Sequence, residues 1–309
     1  MKHPQFAERQ YEAAAHIELA RGGASPFVPT QNIEAYIGID AAYDPGKAHA
    51  IWRILSVHVP KRLPLSPGLW PSLPPGFHDQ IPGKFASLFV QFKTPVYQDH
   101  WRAKYFGTIG APYFEVAITR HQQRRLIALE DRVKARAVVR YASPAFWSRA
   151  DFDTYDESRS VLKRSAFVPP SRVKNHTKWM YESSNGKVVL NPDPEQSESE
   201  PWEFVLRSMV GTVHRQSLRE HVRDLARLLH EVEPWPESDD QRWIGRVRRY
   251  ARLSDDDARF LVDLAFVARV AIAADVSWII LLHPEGDWRN SLTDEQWPPR
   301  WRWPPDFWL

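Results

Sequence analysis

The chain has no cysteine among its 309 residues. That excludes a disulfide framework, a thiolate zinc site and a cysteine nucleophile, and it fits a reducing cytoplasmic location. Long apolar runs are also lacking. The longest, residues 260–282, is broken by Asp263, Arg269 and Asp275, so it reads as a buried helix and not as a membrane span. Residues 1–10 are polar and lack the apolar centre of a signal peptide. Neither a phosphate-binding Gly-rich loop with Lys, nor a dinucleotide glycine fingerprint, nor a Gly-x-Ser-x-Gly elbow occurs. The chain is therefore not expected to use ATP or a nucleotide cofactor itself. His100, His121, His214, His221 and His230 show no paired spacing of the zinc-binding kind.

A strong excess of one charge sign is missing too, with 41 basic against 38 acidic residues and a net charge of +3. The basic residues are clustered, however. Arg120, His121, Arg124 and Arg125, followed by Arg132, Lys134 and Arg136, form one zone. Arg242, Arg246, Arg248, Arg249 and Arg252 form another. Such zones either track phosphates or are ordinary solvated helix faces.

What the chain has in quantity is apolar and aromatic side chains: 43% hydrophobic residues and 14 tryptophans. That is enough for a sizeable core in one large domain or two ordinary ones. Residues 6–21 are rich in Ala, Glu and Leu and read as a helix stopped by Gly22-Gly23. Residues 27–29, 36–43 and 50–59 read as extended. Seven prolines within residues 60–82 mark an irregular insertion. Strands follow at 85–93, 113–118 and 137–141, with a helix at 120–132. This alternation predicts an α/β fold, a mixed sheet flanked by helices. Residues 183–201 are rich in Ser, Glu, Pro and Asn and read as a linker. Beyond them, residues 202–232, 241–252 and 254–282 read as helices. The expected organisation is a first domain over 1–185, a linker over 186–201, and an α-helical C-terminal domain over 202–309. Its end, residues 297–309, is dense in Trp and Pro; it either packs across its own domain or anchors a partner chain.

The chemistry concentrates in two short segments. Asp40 ends Ile37-Gly-Ile-Asp40, and Gln91 and Lys93 lie near the end of Phe85-Ala-Ser-Leu-Phe-Val-Gln-Phe-Lys93. On a strand, Leu88, Val90 and Phe92 point one way and Phe89, Gln91 and Lys93 the other. Gln91 and Lys93 then stand about 7 Å apart on one face. Read singly, Asp40 is equally a turn residue, and Gln91 and Lys93 the solvent face of an edge strand. Read together, a carboxylate, a carboxamide oxygen and an ammonium are parts that hold a divalent metal beside a phosphodiester. Glu8 and Glu12 lie four residues apart, on one face of the first helix, and are either a solvated face or a supply of further carboxylate.

Helix with Glu8 and Glu12, then Asp40, then Gln91-x-Lys93: this order resembles the PD-(D/E)xK nuclease superfamily, specifically its Mrr-like branch with Gln-x-Lys. The resemblance covers residues 6 to about 145. It implies a restriction-endonuclease-like fold. It also implies that Asp40, Gln91 and Glu12 or Glu8 hold Mg²⁺ (or Mn²⁺), and that Lys93 stabilises developing charge. Catalytic roles then fall to Asp40, Gln91, Lys93 and Glu12. From the basic zone, Arg120, Arg124 and Arg125 are expected against nucleic acid, and His176 either joins them at a phosphate or is a structural histidine. The activity implied is metal-dependent endonucleolytic cleavage of DNA, in bacterial defence against foreign DNA. A protein partner or homo-oligomer would dock through the C-terminal region. The spacing from Asp40 to Gln91 is long for the family, and Ile39 replaces the usual proline. Two alternatives share the residues: an RNA nuclease, and a non-catalytic nucleic-acid-binding or scaffold subunit on a degenerate nuclease fold.

Overall fold

A computed structural model of the chain describes residues 1–21, 24–27, 82–192, 196–210, 212, 214–230 and 255–283. Asp40, the proline-dense segment, the arginines of 242–252 and the Trp/Pro tail lie outside the described residues. So do the extended segments expected at 36–43 and 50–59.

The fold is α/β, built around one long strand. Helix α1 (Glu8–Arg21) is followed by β1 (Ala24–Phe27) and the 11-residue β2 (Pro82–Phe92). Every residue from Phe85 to Phe92 is buried. A strand covered on both faces reads as a continuous apolar run, which is how this one appears in the sequence. Strand β5 (Ala137–Pro144) runs parallel to β2, with Ser87 opposite Ala137 and Gln91 opposite Tyr141. Between them lie β3 (Val96–Gln98), α2 (Phe106–Ile109), β4 (Tyr113–Ala117) and α3 (Arg120–Val133). Thr119 caps α3 through the Gln122 N–H, and Gln123, Leu126, Leu129 and Val133 form its buried stripe.

After β5 come α4 (Arg149–Glu157), β6 (Ser165–Val168), β7 (Lys178–Tyr181), β8 (Lys187–Asn191) and β9 (Gln196–Glu198). The segment expected as a linker thus carries two strands. Val188, Val189 and Leu190 are fully or almost fully buried, and this short apolar run overrides the polar composition around it. Strands β3-β4-β7-β8-β9 form an antiparallel sheet.

The C-terminal part departs most from expectation. It has helices α5 (Trp202–Val210), α6 (Leu218–His230) and α7 (Asp255–Ala274), but also β10 (His214–Ser217) and β11 (Ser277–His283). Both strands pair antiparallel with β2: Ser277 faces Val90 and His214 faces Phe85. The central sheet is therefore mixed, in the order β1-β11-β2-β5-β6, with β10 also on β2. Two local signals explain the departures. Ser217 and Glu220 form a reciprocal capping box that starts α6, so the expected helix over 202–232 is interrupted. Helix α7 ends because Asp275 adopts a left-handed φ of 59° while the Val276 N–H reaches back to the Ala271 carbonyl at 3.0 Å. Trp278, Ile279 and Ile280 then continue as a strand, where β-branched and aromatic side chains pack well.

Two apolar clusters cover the two faces of β2. Phe85 and Phe89 pack with Leu126 and Leu129 of α3, Val222 and Leu225 of α6, and Phe266 and Val270 of α7. Leu88, Val90 and Phe92 pack with Tyr11, Ala15 and Leu19 of α1. No helix among the described residues is long and apolar enough to cross a membrane.

Candidate functional site at the end of the central sheet

Gln91 is placed as the strand pattern requires, on the face of β2 shared with Phe89 and turned away from α1. It is only 3% exposed. Its amide nitrogen donates to the Asp275 carbonyl and to Asp275 Oδ2, both at 3.0 Å. Gln122 of α3 donates to the same Oδ2 at 2.8 Å. Two acceptors on one side fix the carboxamide's orientation, leaving Oε1 on the other. Among the described residues that buried oxygen has no hydrogen-bond partner. Neither does the hydroxyl of Tyr141, the residue opposite Gln91 on β5. Burial pushes the Tyr141 hydroxyl's pKa well up. Unpaired buried polar atoms are rare in folded proteins and each calls for an explanation. A second polar cluster on β2 makes the contrast: Ser87 meets His221 Nε2 at 2.8 Å and accepts from Trp278 Nε1 at 3.0 Å.

Lys93 follows β2 directly. Its N–H bonds to the Ala142 carbonyl at 2.9 Å and extends the β2–β5 ladder by one residue, which keeps its half-buried side chain on the Gln91 face.

Glu12 arrives at the same sheet end from the opposite face. Its carboxylate accepts from the Ser277 hydroxyl at 2.6 Å, and Ser277 lies two residues beyond Asp275. Burial raises the pKa of Glu12; the Ser277 bond opposes the shift, and repulsion from Glu8 and Asp275 adds to it. Glu8, one turn earlier and exposed, accepts the Thr94 N–H at 3.3 Å. Both glutamates of α1 therefore face the end of β2. Glu12 and Gln91 are joined through the Asp275–Ser277 segment and not by direct contact.

Sequence reasoning missed Asp275, the carboxylate that holds Gln91. Its sign in the sequence is an acidic residue breaking an apolar run that reads as one continuous helix. Asp40, assigned beside Gln91 from the sequence, lies outside the described residues. Among the described residues no three His, Cys, Asp or Glu side chains stand close enough together to hold a metal ion. The oxygens present are hard donors in kind, a carboxamide oxygen orphaned among the described residues and mutually repelling carboxylates at one sheet end, with Gln91 and Glu12 approaching it from opposite faces.

The basic residues divide. Arg120 and Arg124 are exposed on the first turns of α3. Arg125 is half-buried and hydrogen-bonded to His121; burial lowers its pKa and Asp275 opposes the shift. His176 is not on that surface. It is 5% exposed, its N–H bonds to the Val173 carbonyl, and its own carbonyl accepts from Gln123 at 3.1 Å. The backbone of His176 anchors the loop before β7, and a ring so enclosed is not presented to a phosphate backbone.

Comparison of the chain with models of known protein families, with curated proteins and with solved structures found no match.

Proposed function

We propose that the chain is a metal-dependent nuclease that hydrolyses phosphodiester bonds in DNA, of the PD-(D/E)xK kind its motif order resembles. One observation carries the reading: the buried carboxamide oxygen of Gln91, without a partner among the described residues, at the sheet end that Lys93 and both α1 glutamates also face. In this reading Asp40, Gln91 and Glu12 hold Mg²⁺ or Mn²⁺. Held there, the ion would supply Lewis-acid polarisation of a phosphoryl oxygen and an activated water. Lys93 stabilises the charge that develops on the phosphoryl group. Exposed Arg120 and Arg124 neutralise backbone phosphates. A role in defence against foreign DNA rests on the resemblance alone; control by a partner subunit or by oligomerisation through the C-terminal region follows from the lack of evident sequence-reading motifs in a nuclease.

The test is cleavage of plasmid DNA and of a single-stranded RNA with Mg²⁺ or Mn²⁺, comparing the native chain with Lys93→Ala and Asp40→Ala. Metal-dependent nicking of DNA, reduced at least about 100-fold by either substitution with the thermal melt unchanged, is the expected result. Cleavage of RNA alone would change the substrate. The second reading is a non-catalytic nucleic-acid-binding subunit, favoured by the lack of a compact three-ligand acidic cluster among the described residues. It predicts no cleavage under any of these conditions, and DNA binding weakened by Arg120→Ala and Arg124→Ala but not by Asp40→Ala.

A further inference from the structure

We infer that Asp275 is the positioning residue for Gln91, and that its presence is the reason a carboxamide and not a carboxylate stands at position 91. The inference rests on the metal-binding reading given above. Both acceptors that Gln91 meets belong to Asp275, its backbone carbonyl and Oδ2, each at 3.0 Å. An acceptor pair demands a donor. The amide nitrogen must therefore face Asp275, and Oε1 must face the other way, where it has no partner among the described residues. A glutamate at this position would set a buried carboxylate against two oxygens of solvent-exposed Asp275, with no donor from the described residues between them.

Asp275 is itself held by geometry independent of Gln91. Its φ of 59° is fixed by the end of α7, a conformation Asp and Asn tolerate better than most residues. Gln122 of α3 clamps the same Oδ2 at 2.8 Å. Helix end, neighbouring helix and strand thus converge on one carboxylate. That carboxylate orients the side chain meant to ligate the metal, as hydrogen-bonded outer partners do for ligands elsewhere.

The test uses the full chain at pH 7 and has two readouts, thermal melting without metal and Mn²⁺ binding by titration calorimetry. Gln91→Glu is expected to lower Tm. Adding Asp275→Asn to that variant is expected to recover part of the loss, since the asparagine amide supplies the donor that the introduced carboxylate needs. Asp275→Gly, which keeps the left-handed backbone without strain, is expected to weaken Mn²⁺ binding about tenfold. It should weaken a Gln91→Ala variant no further, because Asp275 acts through Gln91. Native-like Mn²⁺ affinity in Asp275→Gly overturns the positioning role alone. The same holds if Gln91→Glu melts like the native chain. Absence of Mn²⁺ binding by the native chain overturns the metal reading and the positioning role with it.

Discussion

His16 shows how a single residue near the site couples its chemistry to stability. It sits one turn after Glu12, 5% exposed, its ring edge-on to Phe92 at 5.3 Å. Burial lowers its pKa from 6.5 to about 4. The folded chain therefore holds His16 neutral, while the unfolded chain takes up its proton below about pH 6.5. Its contribution is fully present above pH 6.5 and is lost as the pH falls from there towards 4. The loss is on the order of 3 kcal/mol, from about 1.4 kcal/mol per pH unit. Glu12 works in the opposite sense, since a carboxylate with a raised pKa favours the fold at low pH and loses that contribution as the pH rises. Comparison with His16→Leu separates the two. The native chain should lose stability relative to the variant between about pH 6.5 and about pH 4.5 in urea unfolding; parallel pH profiles would sink the idea.

Strand β5 and the segment before α5 are tied by a buried charge network. Arg140 Nε donates to Glu200 Oε2 at 2.6 Å, and Arg172 approaches Glu200 Oε1 at 3.4 Å. Arg140 and Glu200 are both less than a tenth exposed, and Glu130 of α3 lies at 4.0 Å, beyond a hydrogen bond. The pair's net contribution to stability is small, because desolvating two ions offsets their attraction. Breaking it is another matter, since the guanidinium would stay buried with its nearest carboxylate, Glu130, at 4.0 Å. Glu200→Ala should cost about 3 kcal/mol, read as a lower urea midpoint with the slope unchanged. Arg140→Met/Glu200→Leu, which removes both charges, should cost far less. Equal losses in the two variants would show that packing, and not the stranded charge, sets the cost.

Across the whole molecule, β2 connects the N- and C-terminal halves. Strand β11 covers one edge of β2; β10 and β5 share the other, at residues 82–85 and 87–92 respectively. The core cluster on the Phe89 face draws on α3, α6 and α7 together. A fragment of residues 1–185 would lose both antiparallel partners of β2 and much of that cover. It is expected to show no cooperative thermal unfolding by circular dichroism. A sharp melt of the fragment would show instead that the N-terminal part folds alone, as its composition suggests.

By itself the sequence determined those features that depend on local pattern. The helix of α1, the strand and facing of Gln91, the extent of α3 and the α/β class all follow from periodicity and propensity, which act over a few residues. The pairing of β10 and β11 with β2 depends on contacts between residues more than a hundred positions apart, and no local pattern encodes it. The same is true of Asp275. In the sequence it is one acidic interruption in an apolar run. Only the fold gives it a left-handed helix end, two glutamines as donors and a glutamate across the sheet. The tertiary structure also separated residues alike in sequence: Arg120 and Arg124 reach the surface, whereas His176 is enclosed behind Gln123, because burial depends on what packs above a residue and not on its own polarity.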